Sequence, residues 1–318
     1  MDTEVTKSIL VTGANGFVGK SLCEEMLRQG RHVRAATRSP CQLSTKVKSV
    51  IVGAIDGETN WSEALQDVDV VIHLAARVHV MRDTVADPLT EFLKINLHGT
   101  ENLARQAAHA GVKRLVYVSS IKVNGERTTL PFTESDEPNP QDPYGVSKYK
   151  AELALYRVAA ETGLEIVIVR PPLVYGAGVK GNFAQLIKVL AKGIPLPLAS
   201  VHNLRSFVAL DNLVDLIVTC IDHPAAANQT FLAGDGEDLS TTELLQRLGK
   251  VLGKPAKLFS VPTWMLRIGA TLLGKGDMAQ RLCGSLQVDI SKAIDLLGWQ
   301  PPVSVDDALK KMTTDFLE

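Results

Sequence analysis

Hydrophobic and polar positions change period along the chain. Ser8 to Val11 is a short β-branched run ending in Thr12-Gly13, after which Val18, Leu22 and Met26 recur at helical spacing and Gly30 stands where that helix would stop. Val33 to Thr37, Val50 to Val52, Val70 to Leu74, Leu115 to Val118 and Ile166 to Val169 are further short apolar runs, most of them separated by helix-like stretches. Such alternation implies a parallel sheet covered on both faces, whose strands need no polar alternation of their own. The pattern predicts a doubly wound α/β fold. Beyond residue 171 the alternation fades among Pro171, Pro172, Pro195, Pro197, Pro255 and Pro262. This predicts a domain over residues 1–170 and a smaller mixed lobe over 171–318 laid across the carboxyl ends of the strands, with some of its segments returning to the sheet. Near the end, Ser291 is placed to cap a helix that Gly298 stops, and Val305, Leu309, Met312 and Phe316 form an apolar stripe expected in the core. Thr263 to Leu273 carries Arg267 and is too short to span a bilayer, so it reads as a buried or partner-facing helix, with membrane-surface contact as the alternative.

Composition narrows the picture. The 318 residues are 45% hydrophobic, enough for a large core, and 34 Lys and Arg stand against 35 Asp and Glu. A net charge of −1 gives no basic surplus, so nucleic acid is not expected as a partner. The N-terminus shows no secretory leader, and Cys23, Cys41, Cys220 and Cys283 form no CxxC pair. A cytoplasmic protein without disulfides, metal or membrane insertion is expected. His73 reads as a core or cofactor-edge residue.

Candidate chemistry begins at Thr12-Gly13-Ala14-Asn15-Gly16-Phe17-Val18-Gly19, between the first strand and the first helix. A dinucleotide site needs one glycine for the tight turn, one to admit the pyrophosphate to the backbone and one for helix against strand; the helix N-terminus adds positive partial charge. Gly13, Gly16 and Gly19 are those glycines, and the domain reads as Rossmann-type. After the second strand comes Thr37-Arg38-Ser39, where a carboxylate would take the ribose hydroxyls of NAD. A guanidinium grips a 2′-phosphate instead, so Arg38 favours NADP(H), with NAD(H) as the alternative and Arg34 as a rival for the same task. Tyr144 and Lys148, in YGVSK, lie one helical turn apart, an arrangement in which the ammonium lowers the phenol pKa into use as acid and base. Ser120 ends the strand Leu115 to Val118 and can hydrogen-bond a reacting oxygen or cap the next turn.

On these residues the chain resembles the extended short-chain dehydrogenases/reductases, in the group of nucleotide-sugar (UDP-sugar) epimerases, dehydratases and 4-reductases. The resemblance covers nearly the whole length: TGANGFVG at 12–19, DVVIHLAA at 69–76, Asn96 in NLHGT, VSSIKVNG at 118–125, YGVSK at 144–148, RPPLVYG at 170–176, RSFVALDNLV at 205–214 and DISKAIDLLGWQP at 289–301. It implies Ser120, Tyr144 and Lys148 as a catalytic triad, with Lys148 also holding the nicotinamide ribose. It implies Phe17, Val18, Leu74, Ala75, Arg77, Asn96 and Pro171 around the coenzyme, and Asn182, Arg205 and, more weakly, Arg281 on the substrate diphosphate. A homodimer built from the helices carrying Asn96 and Tyr144 follows from the same resemblance. Three positions depart from the pattern. Ala54 stands where many relatives have an acid that contacts adenine, leaving Asp56 as a substitute; Asn124 replaces a common Tyr; Leu173 replaces a sugar-binding Asn.

The implied chemistry is hydride transfer at a sugar carbon with Tyr144 as acid and base. The leading expectation is an NADP(H)-dependent reductase of a UDP-linked 4-keto-6-deoxy-hexosamine, in bacterial surface-polysaccharide synthesis. The alternative is a UDP-hexose or UDP-N-acetylhexosamine 4-epimerase with retained NAD, and the remote one a non-catalytic NADP(H) sensor.

Overall fold

The computed structural model describes residues 7–41, 44–78, 87–272, 274 and 276–317. Its strands, in chain order, are β1 (Ser8–Thr12), β2 (His32–Thr37), β3 (Lys48–Ile51), β4 (Val70–His73), β5 (Arg114–Val118), β6 (Glu165–Arg170), β7 (Leu173–Tyr175), β8 (Arg205–Ala209), β9 (Thr230–Leu232) and β10 (Asp238–Leu239). The helices are α1 (Phe17–Arg28), α2 (Ser62–Leu65), α3 (Pro88–Leu93), α4 (Thr100–His109), α5 (Pro143–Thr162), α6 (Asn182–Ala191), α7 (Leu210–Asp222), α8 (Thr241–Val251), α9 (Thr263–Leu272), α10 (Gly276–Cys283), α11 (Ser291–Leu297) and α12 (Val305–Leu317).

A seven-stranded sheet in the order β3-β2-β1-β4-β5-β6-β9 carries the first half, every pairing parallel. This is the predicted Rossmann-type α/β architecture. The inner strands β1, β4, β5 and β6 are buried on both faces, whereas of the edge strand β3 only Val50 is buried. On one side Leu22 and Met26 of α1, Leu213 and Ile217 of α7 and Ala293 of α11 meet Ile9, Val11 and Ile72; on the other Leu103 and Ala107 of α4 and Leu155 of α5 meet Leu10, Val71 and Leu115. Strand order reverses at β1, which lies between β2 and β4, so the crevice where open α/β sheets bind ligands opens at the carboxyl ends of β1 and β4.

A three-stranded sheet, β10-β8-β7, belongs to a second core in which Tyr175 stacks on Phe183 and Phe207 meets both edge-on, with ring centroids 5.6–6.4 Å apart. Leu309 and Met312 of α12 join it, as the stripe predicts. Gly298 stops α11 at φ +62, but Ser291 is the first residue of that helix rather than its cap: the Asp289 carboxylate accepts its N–H at 2.8 Å, which an acid two residues upstream does through an Asx turn. Thr263–Leu272 is helical and none of its residues is buried, which corrects the buried reading and leaves the partner-facing and membrane-surface ones. No described helix is long and apolar enough to cross a membrane.

Candidate active site

Glycine makes the turn after β1. Gly13 has φ +68, and a Cβ there would stand 2.9 Å from the Ala75 amide nitrogen, while one on Gly19 would stand 2.2 Å from the Gly13 carbonyl oxygen. Backbone therefore packs on backbone where a side chain would fill the crevice. Gly16 caps α1 without a side-chain hydrogen bond, leaving the first amides of the helix available to an anion. Phe17 and Val18 open α1 half-buried, and Leu74 and Ala75 follow β4 across the crevice. This cradle fits a dinucleotide pyrophosphate.

Below it, β1, β4 and β5 bring Thr12, His73 and Tyr117 into one register row. Thr12 Oγ1 accepts from the Ala75 amide at 3.1 Å and lies 2.7 Å from His73 Nδ1, whose Nε2 is 2.9 Å from Thr100 Oγ1. Burial, then the Lys148 charge, pushes the His73 pKa down to about 3, so the ring is neutral. It is a core residue that ties strand ends together, as expected. The Tyr117 ring stacks on it at 5.6 Å.

Helix α5 begins cleanly because Asp142 caps it, accepting from Gly145 N at 2.7 Å, with Pro143 at the first position. Its first turns carry Tyr144 and Lys148. Lys148 is buried; its Nζ donates to the Val118 carbonyl at 2.8 Å and lies 4.4 Å from the centre of the Tyr117 ring and 6.0 Å from that of Tyr144. Ser120 follows β5, accepts from Lys122 N as cap of the following turn, and stands near enough to the Tyr144 phenol to lower its pKa. Ser120, Tyr144 and Lys148 are thus brought together. The expected electrostatics differ. Burial and the Asp142 charge push the Tyr144 phenol up to about 12, against a smaller lowering by Ser120, and burial pushes Lys148 down to about 7, against Glu152. A phenol lowered by a neighbouring ammonium is therefore corrected: desolvation, which acts on both groups, is the largest influence on each.

Asn96 sits in a wider π-helical turn, Lys94–Gly99, between α3 and α4. Its amide is fully used, accepting from Arg77 N at 2.8 Å and donating to Arg77 O at 3.0 Å and Ser147 Oγ at 2.9 Å. It clamps the segment that follows β4 to α5. Arg77 lies over Phe92, whose ring meets Tyr144 edge-on. Pro171 follows β6, its carbonyl accepting from Ile121 N. Arg38 is exposed just past β2; Arg34 is no rival, because its guanidinium donates to the Glu63, Ala64 and Gln66 carbonyls at the end of α2. Asp56 closes a turn, accepting from Glu58 N and Thr59 Oγ1.

At the far end, Arg205 on β8 and Arg281 on α10 converge. Arg205 donates to the Arg281 and Gly284 carbonyls at 2.9 and 3.1 Å, and burial with repulsion by Arg281 lowers its pKa. Asn182 opens α6, but its side chain lies outside the described residues. Leu173 is 48% exposed on β7. Asn124 is not a surface substitution: it accepts from Arg170 at 2.9 Å and donates to the Thr133 carbonyl, supporting a buried Arg170–Glu152 ion pair.

That ion pair is what the sequence reading missed. Its signal was an acid one helical turn past Lys148 and an arginine at the end of β6.

Fold and site together define a nicotinamide-dependent α/β enzyme of the extended short-chain dehydrogenase/reductase type. More narrowly, the chain belongs to the NAD dependent epimerase/dehydratase family, whose model matches residues 9–234. A Vibrio cholerae protein named UDP-glucose 4-epimerase is 46% identical over 321 residues, covering 100% of this chain and 98% of that one. An Escherichia coli O157:H7 protein, N-acetyl-alpha-D-glucosaminyl-diphospho-ditrans,octacis-undecaprenol 4-epimerase, is 26% identical over 96% of this chain and 93% of its own. Among solved structures, UDP-glucuronic acid 4-epimerase from Bacillus cereus in complex with NAD superposes with a TM-score of 0.79 at 25% identity, covering 98% of each chain.

Proposed function

We propose that the chain is a 4-epimerase of a UDP-linked hexose or N-acetylhexosamine, working with a retained nicotinamide dinucleotide. The observation that carries this reading is the end-to-end 46% likeness to the Vibrio cholerae 4-epimerase, in a chain whose Ser120, Tyr144 and Lys148 are gathered at the crevice. Gly13, Gly16 and Gly19, the start of α1, Leu74, Ala75 and the Arg77 backbone would hold the coenzyme, with Lys148 on its ribose. When bound, the coenzyme supplies the hydride acceptor and donor for one sugar carbon. Tyr144 takes and returns the proton of the adjoining hydroxyl, and Ser120 orients that oxygen. Lys148 holds Tyr144's surroundings positive when protonated. Arg205 and Arg281 grip the diphosphate, the element shared by nucleotide-linked and lipid-linked sugars among the relatives, and so fix the sugar through remote binding energy. The exposed Leu153 and Tyr156 on α5 fit a homodimer through the α5 helices.

A second reading, an NADP(H)-dependent reductase of a UDP-linked 4-keto-hexosamine, is favoured by Arg38 in place of a ribose-binding acid and by Leu173 in place of a sugar-binding Asn. One experiment separates the two. Purified protein is given UDP-glucose or UDP-N-acetylglucosamine without added coenzyme, and separately a UDP-4-keto-6-deoxy sugar with NADPH. Inversion at C4 in the first tube supports the epimerase. Stoichiometric NADPH consumption in the second, with no inversion in the first, overturns it for the reductase.

A further inference from the structure

Away from the site, α9 turns an apolar face outward. Trp264, Met265, Ile268 and Leu272 are 63%, 48%, 53% and 81% exposed, and they fall on one side of the helix at i, i+1, i+4 and i+8. Leu266, from the opposite side, packs on the core of the C-terminal lobe. The helix is therefore seated on the body of the protein with its stripe facing away from it. Phe259, in the segment leading into α9, is 49% exposed as well.

The same stretch is basic. From Lys250 to Gly284 the sequence holds Lys250, Lys254, Lys257, Arg267, Lys275 and Arg281 against the single acid Asp277, in a chain whose net charge is −1. Lys250, Lys254, Lys257 and Arg267 are exposed. An apolar stripe alone suits a protein groove as well as lipid; a stripe on a basic stretch of chain, with the exposed Arg267 on α9 itself, complements negatively charged headgroups above an acyl boundary. The length agrees, since a helix of ten residues lies in such a surface rather than crossing it.

We infer that α9 docks the protein on an anionic lipid surface. Trp264, Met265, Ile268 and Leu272 enter the boundary between headgroups and acyl chains, and the lysines of the same stretch and Arg267 meet the phosphates. Because α10 packs along α9 and carries Arg281, the surface is met beside the diphosphate end of the candidate site.

Full-length protein with the coenzyme it purifies with is sedimented with vesicles of phosphatidylcholine alone or with about one third phosphatidylglycerol. Wild type is expected to bind the anionic vesicles, and to bind about tenfold more weakly to neutral ones, in high salt, and after Ile268→Asp with Leu272→Asp. Trp61 and Trp299 are buried, so brominated acyl chains should quench chiefly Trp264, a readout that needs no variant. Failure of wild type to bind anionic vesicles, binding that salt and the double substitution leave unchanged, or the absence of quenching overturns the inference. So does a double variant that loses only self-association in sedimentation velocity, which would make the face a contact between copies. The double variant should turn over soluble UDP-sugar like wild type, so docking and the catalytic reading fail separately.

Discussion

A lysine ammonium taken out of water, as at Lys148, destabilises the fold wherever it stays charged. Its pKa falls from 10.5 to about 7 through burial, so between those values the unfolded chain holds a proton that the folded one has shed. Stability must then rise with pH across that window. Lys148→Met removes the effect. In coenzyme-free protein the difference in unfolding free energy between wild type and this variant should move by a few kcal/mol in favour of wild type from pH 7 to about pH 10, read by urea unfolding. A flat difference would mean that the amine stays solvated. Tyr144→Phe tests the neighbouring group. It keeps the ring that meets Phe92 and loses the hydroxyl beside Ser120, so turnover should fall by about 10²–10⁴ while coenzyme affinity, measured by fluorescence titration, stays within a few-fold. Affinity that falls with turnover would make the phenol a binding group. Tyr144, Lys148 and the glycines were legible in the sequence because spacing on a helix or around a turn carries their geometry. Their charge states were not, since desolvation depends on what tertiary packing excludes.

Between elements, α5 and β6 are joined by the Glu152–Arg170 pair, with Glu152 1% and Arg170 5% exposed and a hydrogen bond from each of two guanidinium nitrogens. Asn124 completes it. Removing one partner leaves an uncompensated buried charge, so Glu152→Gln should lower unfolding free energy by roughly 3–5 kcal/mol, measured by denaturant titration. Replacing Glu152 and Arg170 together by leucine should cost much less. Equal losses in the single and double variants would reject the pair as the cause. The sequence could not pair these residues, because the contact closes across a loop and a strand: Arg170 opens the RPPLVYG segment and Glu152 follows YGVSK, and no spacing links the two. It did show β1 to β6 within a residue or two, since a short apolar run between helical stretches has few other uses, but it gave no strand for β7 to β10. The helix cap at Ser291 went wrong for a local reason: Asp289 accepts the same amide from further back.

Across the whole molecule, the candidate site spans both cores, with the glycine turn on the large sheet and Arg205 on the small one. Arg205→Ala should raise KM for a diphosphate sugar by one to two orders of magnitude, about 1.5–3 kcal/mol, and leave coenzyme affinity unchanged. A KM that stays put would remove Arg205 from the substrate site. The Arg205–Arg281 approach was expected from resemblance alone, and the outward face of α9 could not be read, because periodicity does not say which side of a helix is covered. The order of strands has one more consequence. β9, from Thr230–Leu232, hydrogen-bonds the outer edge of β6, and Arg114 reaches from β5 to the last carbonyls of α7. The polypeptide thus stitches back through its own first half after leaving it. A ribosome that has made only 170 residues has produced an open edge at β6 and a sheet face covered by α1 alone, so the nucleotide-binding half completes its packing only once its later segments emerge.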